Sequence, residues 1–117
     1  MSKKIAVCSS DSSPSSPVEG RFGRCKCFMI WDPETRQYET LSNTGPEAEH
    51  GAGTGAVQAL IRNNVGMVIS QRVGPKAYAA LEVAGIRVFA VVDGKTVEGA
   101  RQSYEAGELQ ELLAPSN

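Results

Sequence analysis

An α/β domain built on a mixed sheet is the fold class this sequence predicts, on three observations. Beyond residue 50, short apolar runs alternate with helix-period segments, which implies crossovers joining parallel strands. Residues 25–41 read as a hairpin, so one strand must run against the others. The length of 117 residues suits one domain, 1–117, with a two- or three-layer core and a loose tail at 114–117.

Each element has a local reason. Lys4 to Cys8 is a short buried-type strand, followed by a loop rich in Ser and Pro at 9–18. Cys25 to Trp31 alternates and is rich in strand formers. Asp32-Pro33-Glu34-Thr35 is a turn, and Gln37 to Leu41 returns antiparallel. A polar loop, Ser42 to Glu49, leads to a helix at 52–64 whose Ala56, Val57, Leu60 and Ile61 share one face. Gly66 to Ser70 is a strand, and Gly74-Pro75 starts a second helix that Gly85 closes. Ile86 to Val92 has the continuous apolar character of a strand covered on both faces. Thr96 caps a third helix carried by Val97, Ala100 and Tyr104, and Leu109, Leu112 and Leu113 offer one more apolar turn. The expectation is five strands, one of them antiparallel, with about three helices.

Composition narrows the function classes. A net charge of −1 argues against nucleic-acid or membrane binding through bulk charge. The N-terminal apolar stretch is too short for a signal peptide, and no segment approaches membrane-spanning length. Three cysteines are a poor disulfide framework, so a reducing cytoplasm is the expected setting.

One run stands out. His50-Gly51-Ala52-Gly53-Thr54-Gly55 opens directly into the first helix pattern. Unpaired N–H groups and the positive dipole end attract anions there, and glycines let a bulky ligand reach the backbone. Gly51-x-Gly53-x-x-Ala56 imitates a dinucleotide fingerprint, but a polar loop precedes it where a buried strand belongs. Met67 to Lys76, where the ribose-binding acid would fall, holds no acidic residue.

Open sheets bind ligands beyond the carboxyl ends of their parallel strands. Those ends deliver the loops starting at Ser9, Ser42, Gln71 and Asp93, and the antiparallel strand brings Arg24 and Cys25 to the same rim. Arg21-Phe22-Gly23-Arg24 sets two guanidinium groups around a glycine, a donor fork suited to oxyanions and sulfide-rich anions. Gln71-Arg72-Val73-Gly74-Pro75-Lys76 places two cations at a helix start, where they oppose the dipole unless an anion is bound. Solvated surface charge is the alternative for both.

His50 is the sole histidine, and a neutral imidazole is a common metal ligand. Cys25 and Cys27, two apart, share a strand face and offer thiols to a soft metal such as copper. These three are the candidate metal ligands. Free cysteines are more often small buried hydrophobes, and no second pair completes a four-ligand site. Asp11, Asp32 and Asp93 are scattered over turns, and no Cys–His or Ser–His pair emerges from the spacing, so no catalytic residue is assigned.

Taken together, the residues resemble the dinitrogenase iron–molybdenum cofactor biosynthesis family. The matching pieces are Ser16-Pro17-Val18, Arg21-Phe22-Gly23-Arg24, Phe28-Met29-Ile30, Glu49-His50-Gly51-Ala52-Gly53, Val73-Gly74-Pro75-Lys76-Ala77, Ala84-Gly85-Ile86-Arg87-Val88 and Gly107-Glu108-Leu109. Their order and spacing over residues 4–113 are more specific than any single piece. The resemblance implies a ribonuclease-H-like three-layer fold and a small carrier of molybdenum–sulfur clusters. For stand-alone members of this length it implies a molybdenum–copper sulfide cluster held without covalent protein ligands, with an iron–molybdenum–sulfur cluster or precursor as the alternative. The sequence departs from the family pattern at Cys25-Lys26-Cys27, where small, proline and aromatic residues are usual, and in its serine-rich loop at 9–16.

The expectation is therefore a non-catalytic carrier of an anionic metal–sulfide cluster, with protein partners in cluster delivery. Its contacts are expected at Arg21, Phe22, Gly23, Arg24, His50, Gly51, Gly53, Arg72 and Gly74. Two readings compete. A ribonuclease-H-like hydrolase would need clustered carboxylates for Mg²⁺, and a regulatory interaction domain would need no ligand.

Overall fold

Strand β1 (Lys4–Ser9) occupies the middle of a six-stranded sheet. The structure, a computed structural model, describes residues 3–42, 52–92 and 94–115. On one side of β1 lie β2 (Cys27–Asp32), antiparallel to it, and β3 (Gln37–Ser42), antiparallel to β2. On the other lie β4 (Val65–Ser70) and β5 (Arg87–Ala90), both parallel to β1. A two-residue strand, β6 (Gln110–Glu111), closes that edge antiparallel to β5, giving the order β3-β2-β1-β4-β5-β6.

Two-residue alternation sorts the strands between two cores. Ala6, Cys8, Phe28, Ile30, Val68 and Val88 face helices α1 (Ala52–Arg62) and α2 (Pro75–Val83). Ile5, Val7, Met29, Trp31, Ile69 and Phe89 face helix α3 (Val97–Glu105). The result is three layers, with β1 and β4 buried on both faces as parallel strands require. Thr96 caps α3 by accepting the Gly99 N–H at 3.1 Å. Gly85 (φ 75°) and Gly107 (φ 74°) let the chain leave α2 and α3 in a left-handed turn.

The sheet corrects the expectation of five strands with one reversed. Among the described residues there are six, and β2 and β6 both run against the rest. The apolar turn expected around Leu109 and Leu112 is this extended edge. Three residues apart, the two leucines would share a helix face, but here they serve opposite cores. The Leu112 N–H bonds the Val88 carbonyl at 2.8 Å. Strand β2 begins at Cys27 rather than Cys25, because Phe22–Arg24 forms a 3-10 turn that ends at Cys25. Strand β5 stops at Ala90, leaving Val92 exposed.

Away from this rim, α3 is pinned to the hairpin by a buried charge. Arg101 is 6% exposed, with its guanidinium carbon 4.0 Å from the Trp31 ring centre. It donates to the Tyr38 hydroxyl at 3.3 Å and to Glu98 at 2.7 Å, and pairs with Glu105. Desolvation is the largest cause pushing the Tyr38 phenol up to about 12.

Candidate functional site

The strand order turns back at β1: the chain places β2 and β3 on one side of it and β4 and β5 on the other. Ligands of open α/β sheets collect beyond strand ends at such a switch. The segments following β1 and β4 are joined there. Arg21 and Arg72 form a parallel bridge, and the Phe22 N–H donates to the Arg72 carbonyl at 3.0 Å. Ser70 Oγ donates to the same carbonyl at 3.1 Å, and Gln71 Nε2 donates to the Val18 carbonyl at 3.2 Å. Phe22 is fully buried, with its ring centre 5.4 Å from that of Phe28. A buried aromatic thus anchors the middle of a turn whose flanking residues, Arg21 and Arg24, are exposed.

Helix α2 begins on the same rim. Gly74 is its extended N-cap (φ −70°, ψ 171°) and Pro75 its first residue. The first intrahelical bond runs from the Tyr78 N–H to the Gly74 carbonyl at 2.9 Å, so the Lys76 and Ala77 N–H groups have no helical acceptor. A Cβ added at Gly74 would meet nothing within 4 Å, so the space in front of this cap is open. A cavity of about 450 Å³ occupies the junction, lined by Arg21, Phe22, Arg24, Gly74, Pro75, Lys76 and Ala77.

Its electrostatics are one-sided. Among the described residues, no carboxylate pairs with Arg21, Arg24, Arg72 or Lys76. Elsewhere cations find partners: Lys4 with Glu39 at 3.0 Å, Arg87 with Glu111 at 2.7 Å, Arg101 with Glu98 at 2.7 Å. Three positive side chains and a helix N-terminus around one opening make a donor set for a compact polyvalent anion. Guanidinium and ammonium groups do not coordinate metal, so such a site holds the outer atoms of an anion rather than a bare cation.

Most of the expected contacts converge. Arg21, Phe22, Arg24 and Gly74 line the cavity, Gly23 lies inside the turn, and Arg72 is bridged to Arg21. Gly53 is in the first turn of α1, the helix that packs against the Phe22–Arg24 turn. His50 and Gly51 lie outside the described residues. The expected shared strand face of Cys25 and Cys27 is corrected. Cys25 precedes β2 and is buried in the core beneath α1 and α2, donating to the Phe22 carbonyl at 3.2 Å. Cys27 is on β2 in the alternation of Met29 and Trp31, and donates to the Asp11 carbonyl at 3.2 Å. The two do not share a strand face, because Cys25 closes the 3-10 turn and the strand alternation starts only at Cys27. Among the described residues, no three His, Cys, Asp or Glu side chains gather as a metal site. Sequence reasoning missed Pro75 and Ala77 as lining residues, since helix geometry alone places them there. Lys76 was legible from its mismatch with the helix dipole.

Comparison with known proteins follows the same lines. Residues 1–107 match the family model for dinitrogenase iron-molybdenum cofactor. The apo form of the orange protein from Desulfovibrio gigas is 34% identical, with a TM-score of 0.93 over 98% of this chain and 97% of that one. A NifB-like protein from Thermotoga is 33% identical, with a TM-score of 0.88 over 99% and 98%. An uncharacterised protein of Methanocaldococcus jannaschii is 35% identical over 82 residues, 68% of this chain and 67% of that protein.

Proposed function

We propose, from the premise that this chain belongs to the dinitrogenase iron-molybdenum cofactor family, that it carries an anionic molybdenum-containing metal–sulfide cluster without catalysing a reaction on it. The observation carrying this reading is the cavity of about 450 Å³ ringed by Arg21, Arg24 and Lys76 and floored by the start of α2. Sulfide-rich clusters present charge-dense, polarisable faces, and planar guanidinium forks can donate to several such atoms at once. The open approach at Gly74 lets the cluster reach the backbone amides of Lys76 and Ala77. Cluster metals already saturated by sulfide need no protein ligand, which suits a rim of donors without thiolates. A relative solved in an apo form is what a scaffold with a removable load would give.

A molybdenum–copper sulfide cluster is the specific cargo we assign, with an iron–molybdenum–sulfur precursor as the second candidate. The test is anaerobic reconstitution with tetrathiomolybdate and cuprous ion. The expected result is a visible charge-transfer band that stays with the folded protein through gel filtration. A band that elutes wholly with small molecules would overturn the reading, and Mg²⁺-dependent nuclease activity in pure protein would favour the hydrolase instead.

A further inference from the structure

Beneath the rim, the two arginine segments are closed into a buried hydrogen-bonded ring. Its outer half meets at the Arg72 carbonyl: the Phe22 N–H and the Ser70 side-chain Oγ both donate to it, at 3.0 and 3.1 Å. Its inner half is sulfur. Cys25 Sγ donates to the Phe22 carbonyl at 3.2 Å, and Cys8, buried in the same core, interacts with both Cys25 and Ser70. Cys8 sits at the end of β1 opposite Phe28 in the strand register, and both Cys8 and Cys25 are 0% exposed in the same core. Cys27 belongs to the other alternation of β2 and takes no part.

We infer that Cys8 and Cys25 form a modification site, a dithiol whose oxidation to a disulfide uncouples the arginine turn from the α2 segment and weakens anion binding. The inference rests on the reading of the cavity as an anion site. The oxidant is a small-molecule disulfide. Its S–S bond breaks, an S–S bond forms between Cys8 and Cys25, and the two protein thiols give up two electrons and two protons to yield two small thiols. Once in a disulfide, Cys25 has no hydrogen to donate. The Phe22 carbonyl then loses its partner in a dry setting, and the ring opens at the residue between Arg21 and Arg24.

Burial pushes the Cys8 thiol well above its ordinary range, with the contact to Cys25 adding to it. Cys8 therefore stays protonated, and both sulfurs, fully buried, meet an oxidant only when the turn opens, so oxidation is slow.

The experiment treats the protein with glutathione disulfide, blocks remaining thiols by alkylation and maps the linked peptides by mass spectrometry. In parallel it reads the Phe22 and Arg72 amide resonances and the tetrathiomolybdate affinity. The expected result is a Cys8–Cys25 linkage, displacement of both amide resonances, and affinity roughly fivefold to tenfold weaker, restored by dithiothreitol. Cys8→Ser should remain insensitive to the oxidant, with Cys8→Ala as the second variant if the first does not fold. Full alkylation of all three thiols, a Cys25–Cys27 linkage, or unmoved amide resonances would overturn the inference. Tetrathiomolybdate binding absent in both redox states would instead sink the carrier reading, leaving the linkage and the amide shifts to judge the dithiol.

Discussion

Replacing both Arg21 and Arg24 by Gln should weaken tetrathiomolybdate binding by about a hundredfold at low salt. Both side chains are exposed at the mouth of the cavity, so the interaction is worked in nearly full solvent screening. A dianion about 6 Å from a guanidinium in water gains about 1.4 kcal/mol, a factor of about ten for each arginine. The gain should shrink steeply as added salt shortens the screening length from about 30 Å at 0.01 M to about 3 Å at 1 M. The control is Lys3→Gln with Lys4→Gln, which changes formal charge equally at the other end of β1. That strand spans six residues, so the control lies about 20 Å away, beyond the screening length of about 10 Å at 0.1 M. An equilibrium titration followed by the absorbance of the thiomolybdate reads both variants. Equal losses in the two, or a loss in the arginine variant indifferent to salt, would refute the placement of the anion.

Other perturbations separate charge, coordination and stability. Gly74→Asp fills open space at an N-cap, so it should hold or raise stability, by about 0.5 kcal/mol at most, while repelling the anion and abolishing binding; intact binding would show that the ligand does not approach this cap. Cys27→Ser should still assemble a coloured complex from thiomolybdate and copper, since Cys27 does not line the cavity; a colourless folded variant would make this a thiolate site. The Tyr38 hydroxyl, then Arg101, hold the Glu98 carboxyl below its ordinary value of 4.5. A lowered folded-state pKa gives stability that is complete above the unfolded value and lost as pH falls through the folded one. Glu98→Gln should therefore lower the melting temperature at neutral pH and flatten its fall below pH 4.5, and parallel melting curves across that range would count against the network.

Much of this architecture was legible because local signals agreed. The Thr96 cap, the Gly74-Pro75 helix start and the apolar strands after residue 65 all sit where their residue chemistry requires. The errors arose where tertiary contacts overrode the pattern. Leu109 and Leu112 read as a helix face, yet the bond from Leu112 to Val88 draws them into an edge strand. Cys25 and Cys27 read as one strand face, yet the turn that buries Phe22 runs up to Cys25 and leaves it outside the strand. The arginines were visible as a charge cluster, but only the Arg21–Arg72 bridge brings the two segments together. No spacing rule could announce that pairing across fifty residues of chain. The same holds for Arg101, whose place over Trp31 only the fold supplies.

Locating the metal in protein reconstituted with tetrathiomolybdate and copper tests the central claim most directly. Anomalous scattering at the molybdenum edge would place it in a crystal without reference to colour or affinity. The account predicts a molybdenum peak in the cavity between Arg21, Arg24 and Lys76, in front of Gly74 and with no cysteine sulfur at bonding distance. A peak bonded to the sulfur of Cys25 or Cys27, or one seated away from the arginine turn, would contradict it.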